Sequence, residues 1–188
     1  KEKYNIVSIT DYAKKAASTV EDYSKDDIIA VIYAQGEIAG GEGDVNVIGE
    51  GSIKRSLEEA RKDDDVKAIV LRVNSPGGSA LTSELIWREI EITKKVKPVV
   101  VSMGNYAASG GYYIAANADR IFAEPNTITG SIGVFGMLPN MNQLGKNIGI
   151  NAEQVQTHTN ASGYSVFEPI DENFKGYVLE SIEKTYAT

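Results

Sequence analysis

The chain has 188 residues, 42% of them apolar and 24% charged, ordinary values for a single globular domain with a sizeable core. A net charge of −7 and the lack of any basic cluster exclude a partner with a phosphate backbone, so no nucleic acid is expected. There is no cysteine and only His158, which rules out disulfides, a thiol nucleophile and Cys-ligated or multi-histidine metal sites; no metal or cofactor is expected.

No apolar run approaches the ~20 residues needed to span a bilayer, and no signal-peptide pattern is present. The chain opens at Lys1 rather than Met and stops at Thr188 inside a predicted helix. It is therefore read as a piece of a longer polypeptide, with any membrane anchor outside it.

Residues 1–27 are polar and weakly patterned, with a short strand expected at 4–9 and a short helix at 11–19; the segment reads as a connector from a preceding unit. The domain proper is taken as 28–188. Its first strong signal is the apolar run 28–34, a buried strand. The glycine-rich, acidic stretch 36–51 lacks the Lys-Ser/Thr ending of a phosphate-binding loop and is read as a flexible surface loop. Ser52 is placed as a helix N-cap, with Ile53, Leu57 and Ala60 on one face and Glu58–Lys62 paired on the other.

The run 63–65 is three aspartates, a solvated turn, and 67–73 is the next strand. Residues 80–95 make a helix with Leu81, Leu85, Ile86 and Ile90 as its apolar face and Glu84–Arg88 and Glu91–Lys95 spaced for pairing. Strand 98–103 follows, then a turn, a small-residue helix at 113–118 and a short strand at 120–123. Beyond these, 129–136 reads as a loop and glycine-punctuated strand, 139–147 as a helix, 153–157 as a strand, 158–166 as exposed polar chain, and 171–186 as an amphipathic helix on Phe174, Tyr177, Val178 and Ile182. Strands alternating with helices predict an α/β fold with a mainly parallel sheet and right-handed crossovers.

Two glycine turns lie at the carboxyl ends of predicted strands, the edge where open α/β folds place their sites. One is Asn74-Ser75-Pro76-Gly77-Gly78-Ser79; the other is Ala107-Ala108-Ser109-Gly110-Gly111-Tyr112. Ser109, ending a strand-to-helix turn, is a candidate nucleophile, with the Gly77 or Gly78 amide and the Gly110 amide converging as a two-donor oxyanion hole. Taken alone, each cluster is also an ordinary turn, Ser109 an ordinary helix cap and Ser131 an ordinary turn residue.

With Thr129-Gly130-Ser131-Ile132-Gly133 in third place, the three motifs resemble the signal peptide peptidase SppA (protease IV, S49-like) family, within the larger Clp protease/crotonase-like fold. The resemblance runs from about Ile28 to Tyr186 and fits the C-terminal repeat of the long, two-repeat form. It implies a serine peptidase of the Ser-Lys type that degrades remnant signal peptides at a bacterial membrane, on the extracytoplasmic side, as a homo-oligomer. Ser109 would be the nucleophile, Gly77 and Gly110 the oxyanion hole, and Ser131 the residue orienting the lysine.

The lysine itself is missing. Single-repeat relatives carry it near 157–165, where this chain has Thr157-His158-Thr159-Asn160-Ala161-Ser162-Gly163, and no lysine lies between Lys146 and Lys175. The general base is thus expected to be absent from this chain and supplied by the preceding repeat, with His158 a weaker candidate. Two rivals remain: a crotonase-type acyl-CoA enzyme, which would want basic residues that 36–51 does not offer, and a non-catalytic assembly repeat.

Overall fold

The computed structural model describes residues 27–158, 161 and 163–187; the strand expected at 4–9, the helix at 11–19 and nearly all of the 1–27 connector lie outside these. The main sheet runs β1 (Ile28–Gln35), β5 (Val66–Ser75), β6 (Val99–Ala108), β7 (Arg120–Phe122), with β8 (Ile128–Gly130) also paired to β6. Every pairing in this sheet is parallel. Parallel neighbours need crossovers, and the described helices supply them: α1 (Glu50–Lys62) between β1 and β5, α2 (Ala80–Lys94) between β5 and β6, α3 (Gly110–Ala116) between β6 and β7. The α/β class and the mainly parallel sheet are as the alternation of elements predicts. Two further helices, α4 (Asn142–Asn147) and α5 (Glu172–Ala187), follow.

The core lies between the sheet and α1–α3. Ile69, Leu71 and Val73 of β5 and Val99 and Val101 of β6 are buried, alternating as one face of each strand demands, against Leu57, Ile86, Ile90 and Ile114 from the helices. The opposite face is open at β1, where Ile29, Val31 and Tyr33 are exposed. Among the described residues, β1 is also the end strand of the sheet.

Several expectations are corrected. The stretch 36–51 is not a flexible surface loop: β2 (Glu37–Ile38), β3 (Gly43–Asp44) and β4 (Val47–Ile48) form a small sheet in the order β2-β4-β3. Ile38 and Ile48 are buried there, and burial of two large apolar side chains holds the segment down. Helix α1 starts at Glu50 with Gly49 as its N-cap, and Ser52 lies in its first turn, its Oγ donating to the Gly49 carbonyl at 3.3 Å. Its buried residues are Ile53, Leu57 and Ala60, as the periodicity predicts, and the Glu58–Lys62 pair forms at 2.5 Å.

In α2 the buried face is Thr82, Ser83, Ile86, Glu89, Ile90 and Thr93, leaving Leu81 and Leu85 exposed. The polar members are tolerated because they are satisfied: Arg61 of α1 reaches Glu89 at 2.6 Å and Thr93 at 2.9 Å, and Ser83 Oγ donates to the Ser79 carbonyl at 2.8 Å. The spaced pairs on α2 are also replaced. Glu84 accepts the Tyr113 hydroxyl, and Glu91 meets Lys94 at 3.6 Å. No strand forms at 153–157, where Val155 is fully open to solvent. In α5 the half-buried stripe is Phe174, Val178, Ile182 and Thr185, with Tyr177 exposed.

Candidate active site

The β5 and β6 carboxyl ends bring the two glycine turns together. β6 ends at Ala108, α3 begins at Gly110, and Ser109 is the single residue between them. Its backbone takes φ 52° and ψ −122°, left-handed for a residue with a Cβ and costing on the order of 1–3 kcal/mol. Its N–H is held by the Gly130 carbonyl at 2.9 Å, and its own carbonyl accepts the Tyr113 N–H at 2.9 Å. The sharp turn leaves the side chain half-exposed at the head of α3 while Ala107, Ala108 and Gly110 on either side are buried.

Gly77 is pressed against this turn. A Cβ on it would stand 2.8 Å from Ser109 Cβ and 2.8 Å from the Gly110 nitrogen, and its φ is +105°, so both space and conformation demand glycine. Of the amides at 77 and 78, the Gly77 N–H is already donated to Ser75 Oγ at 3.1 Å. Ile38 takes the Gly77 carbonyl at 2.9 Å and the Ser79 N–H at 2.8 Å, both on one side of this extended segment. The Gly78 N–H therefore faces the other side, toward Gly110. Among the described residues, no hydrogen bond occupies the Gly78 or the Gly110 N–H.

Ser131 follows the Gly130 that anchors Ser109, and it too is a non-glycine residue with positive φ, 50°. Ser109, Ser131, Gly77, Gly78 and Gly110 all line one cavity of about 790 Å³. Among the described residues, its lining includes neither lysine nor histidine. His158 is exposed and bonds its neighbour Thr157 at 3.0 Å, and Lys175 meets Glu172 at 3.5 Å on α5. The structure thus gathers every serine and glycine that the motifs single out and leaves His158 elsewhere.

Sequence reasoning missed the cavity's aromatic wall. Trp87, Tyr112 and Tyr113 line it from α2 and α3, and Tyr186 from the end of α5. Trp87 and Tyr113 meet edge to face at 6.5 Å. Burial, and then the 2.5 Å bond to Glu84, pushes the Tyr113 hydroxyl up to about 12, so it stays a neutral donor at any ordinary pH. One signal was available: Tyr113 stands one helical turn after Ser109, on the same face of a helix.

A family model described as Peptidase family S49 matches residues 91–188, just over half of the chain. The chain belongs to peptidase family S49. Protease 4 of Haemophilus influenzae is 44% identical over 98% of this chain and 30% of its own length. Protease 4 of Salmonella typhi is 43% identical over 82% of this chain and 24% of its own length. A chloroplastic serine protease SPPA of Arabidopsis thaliana is 43% identical over 69% of this chain and 20% of its own length. This S49 chain therefore spans less than a third of each of these relatives.

Proposed function

We propose that this chain is the nucleophile-bearing repeat of a membrane-associated serine endopeptidase that degrades remnant signal peptides, its lysine base supplied by a preceding repeat. Ser109 carries the reading: a serine at φ 52°, alone between a strand and a helix, beside two open amides. Its Oγ attacks the peptide carbonyl while the neutral lysine amine takes the hydroxyl proton. The carbonyl electron pair moves onto oxygen, where the Gly110 and Gly78 N–H groups receive it, with Gly77 keeping the two turns in register. The lysinium then gives its proton to the leaving amine, and water hydrolyses the acyl-enzyme by the same route reversed. Ser131 would orient the incoming lysine across the cavity.

The aromatic and apolar lining, from Trp87 and Tyr113 to Val134 and Phe135, suits the uncharged side chains of a signal-peptide core. The test is Ser109→Ala in the full-length protein. Cleavage is expected to fall by at least ~10⁴-fold with the fold unchanged. Assayed alone, this chain is expected to cleave slowly and to ignore His158→Ala, and to gain activity when the preceding repeat is added. Full-rate cleavage by the isolated chain, or its loss on His158→Ala, would overturn the shared dyad.

A further inference from the structure

Strand β6 changes partners half-way along. Its first part pairs with β7 from Val100 to Ser102, its last part with β8 from Tyr106 to Ala108. The change happens at a bulge. Met103 is opposite Val73 and Ala107 is opposite Ser75, so on β5 only Asn74 faces Gly104, Asn105 and Tyr106. A bulge of this size leaves ladder amides without a backbone acceptor and bends the strand. Here the bend aims Ala107 and Ala108, and hence Ser109, at the Gly77 turn.

One side chain closes the gap. Asn74 Oδ1 accepts the Asn105 N–H at 3.0 Å and the Tyr106 N–H at 3.1 Å. The fit is close, since a Cβ on Gly104 would lie 2.8 Å from that same oxygen. The Asn74 backbone is fixed in turn, its carbonyl accepting the Gly36 N–H at 3.0 Å. Thr127 Oγ1 adds a bond to the Gly104 carbonyl at 2.9 Å, so donors and acceptors of the bulge are both engaged. Asn74 also opens the segment 74–79 that carries Gly77 and Gly78, so one residue joins the nucleophile strand to the oxyanion turn.

We infer that Asn74 is a positioning residue for Ser109, its carboxamide oxygen setting the bend in β6 that presents the nucleophile to the Gly77–Gly78 turn. The inference rests on Ser109 being the nucleophile. It predicts a defect in the chemical step rather than in substrate binding, because Asn74 is not among the residues lining the cavity. Asp at this position keeps the acceptor and lies on the same strand face as Arg72, two residues away, which favours its charge.

The experiment is steady-state cleavage by the full-length protein carrying Asn74→Ala or Asn74→Asp, with amide exchange of Asn105 and Tyr106 followed in parallel. A misplaced nucleophile costs up to ~10²-fold, so Asn74→Ala is expected to lower kcat by about 10–100-fold while KM stays within about twofold. The two amides should exchange faster in Asn74→Ala. Asn74→Asp should restore both kcat and protection. An Asn74→Ala kcat within about twofold of the parent overturns the inference, as does an Asp variant as slow as the Ala one or a loss carried by KM. Should Asn74→Ala fail to fold, Gly104→Ala applies the same push from the other strand: slow kcat with fast exchange at Asn105 and Tyr106 supports the inference, and unchanged kcat overturns it. Ser109→Ala assayed alongside separates the two readings. Activity surviving there overturns the nucleophile and this inference with it, whereas a dead Ser109→Ala beside a normal Asn74→Ala overturns this inference alone.

Discussion

Residues 28–130 and 131–187 are built on different terms. Every buried apolar side chain among the described residues falls between Ile32 and Ala115. In the later region α5 has no fully buried residue, only its half-buried stripe, and Ile132, Phe135, Met137, Leu144 and Ile148 are all exposed. The difference is not one of composition, since both regions are rich in large apolar residues. It is one of periodicity matched to a partner: in the first region strands and helices face each other, while in the second two helices and long irregular stretches have no common layer to enter. The site sits on the seam, with Ser109 supplied by the first region and Ser131 by the second.

Substitution sharpens that contrast most directly. Leu57→Ala, at a side chain with no exposure, is expected to cost about 2–5 kcal/mol by denaturant unfolding, whereas Leu144→Ala, at 57% exposure, should stay within about 0.5 kcal/mol. Equal losses at the two positions would break the comparison. Next in size is Gly77→Ala. Its methyl group would collide with Ser109 and Gly110 in the tightest part of the first region, so kcat of the full-length protein should fall by ~10²-fold or more with the second region unaffected.

The smallest effect is a pH dependence. Tyr113 has its folded pKa raised to about 12 from 10.0, so its neutral form is favoured by folding. Its contribution is complete below pH 10 and is lost as pH rises toward 12, where the folded state must give up a proton the unfolded chain has already released. Ultraviolet titration should show one phenol ionising late, and Tyr113→Phe should remove it. A tyrosine set that all ionises near the ordinary value would show that the α2–α3 wall is looser than the core behind it.

The same division explains what the sequence disclosed. The mainly apolar runs at 28–34, 67–73 and 98–103 are short and β-branched enough to read as strands, and chain order alone then yields the crossovers. The Ser109 turn was legible because a strand, a serine, two glycines and a helix are all local. What was not legible is non-local or too short to show a period. The two-residue strands of 36–51 have no repeat to detect. The burial of Glu89 and Thr93 on the inner face of α2 depends on Arg61, far away in sequence. Val155 has the composition of a strand residue but finds no neighbour. Which of the Gly77 and Gly78 amides is unoccupied is non-local for a similar reason, since only the fold puts the Gly77 N–H on Ser75 and leaves Gly78 open.

The two serines with left-handed backbone, at 109 and 131, carry a further meaning. Each occupies a conformation that glycine enters freely, so the resting fold bears a standing penalty of roughly 1–3 kcal/mol per site for keeping a hydroxyl there. Drift toward stability alone would replace both with glycine, and on the function proposed above the domain would gain robustness while losing its chemistry. Ranking variants of this chain by thermal tolerance would then select against the two residues to which that proposal gives the nucleophile and the lysine-orienting hydroxyl.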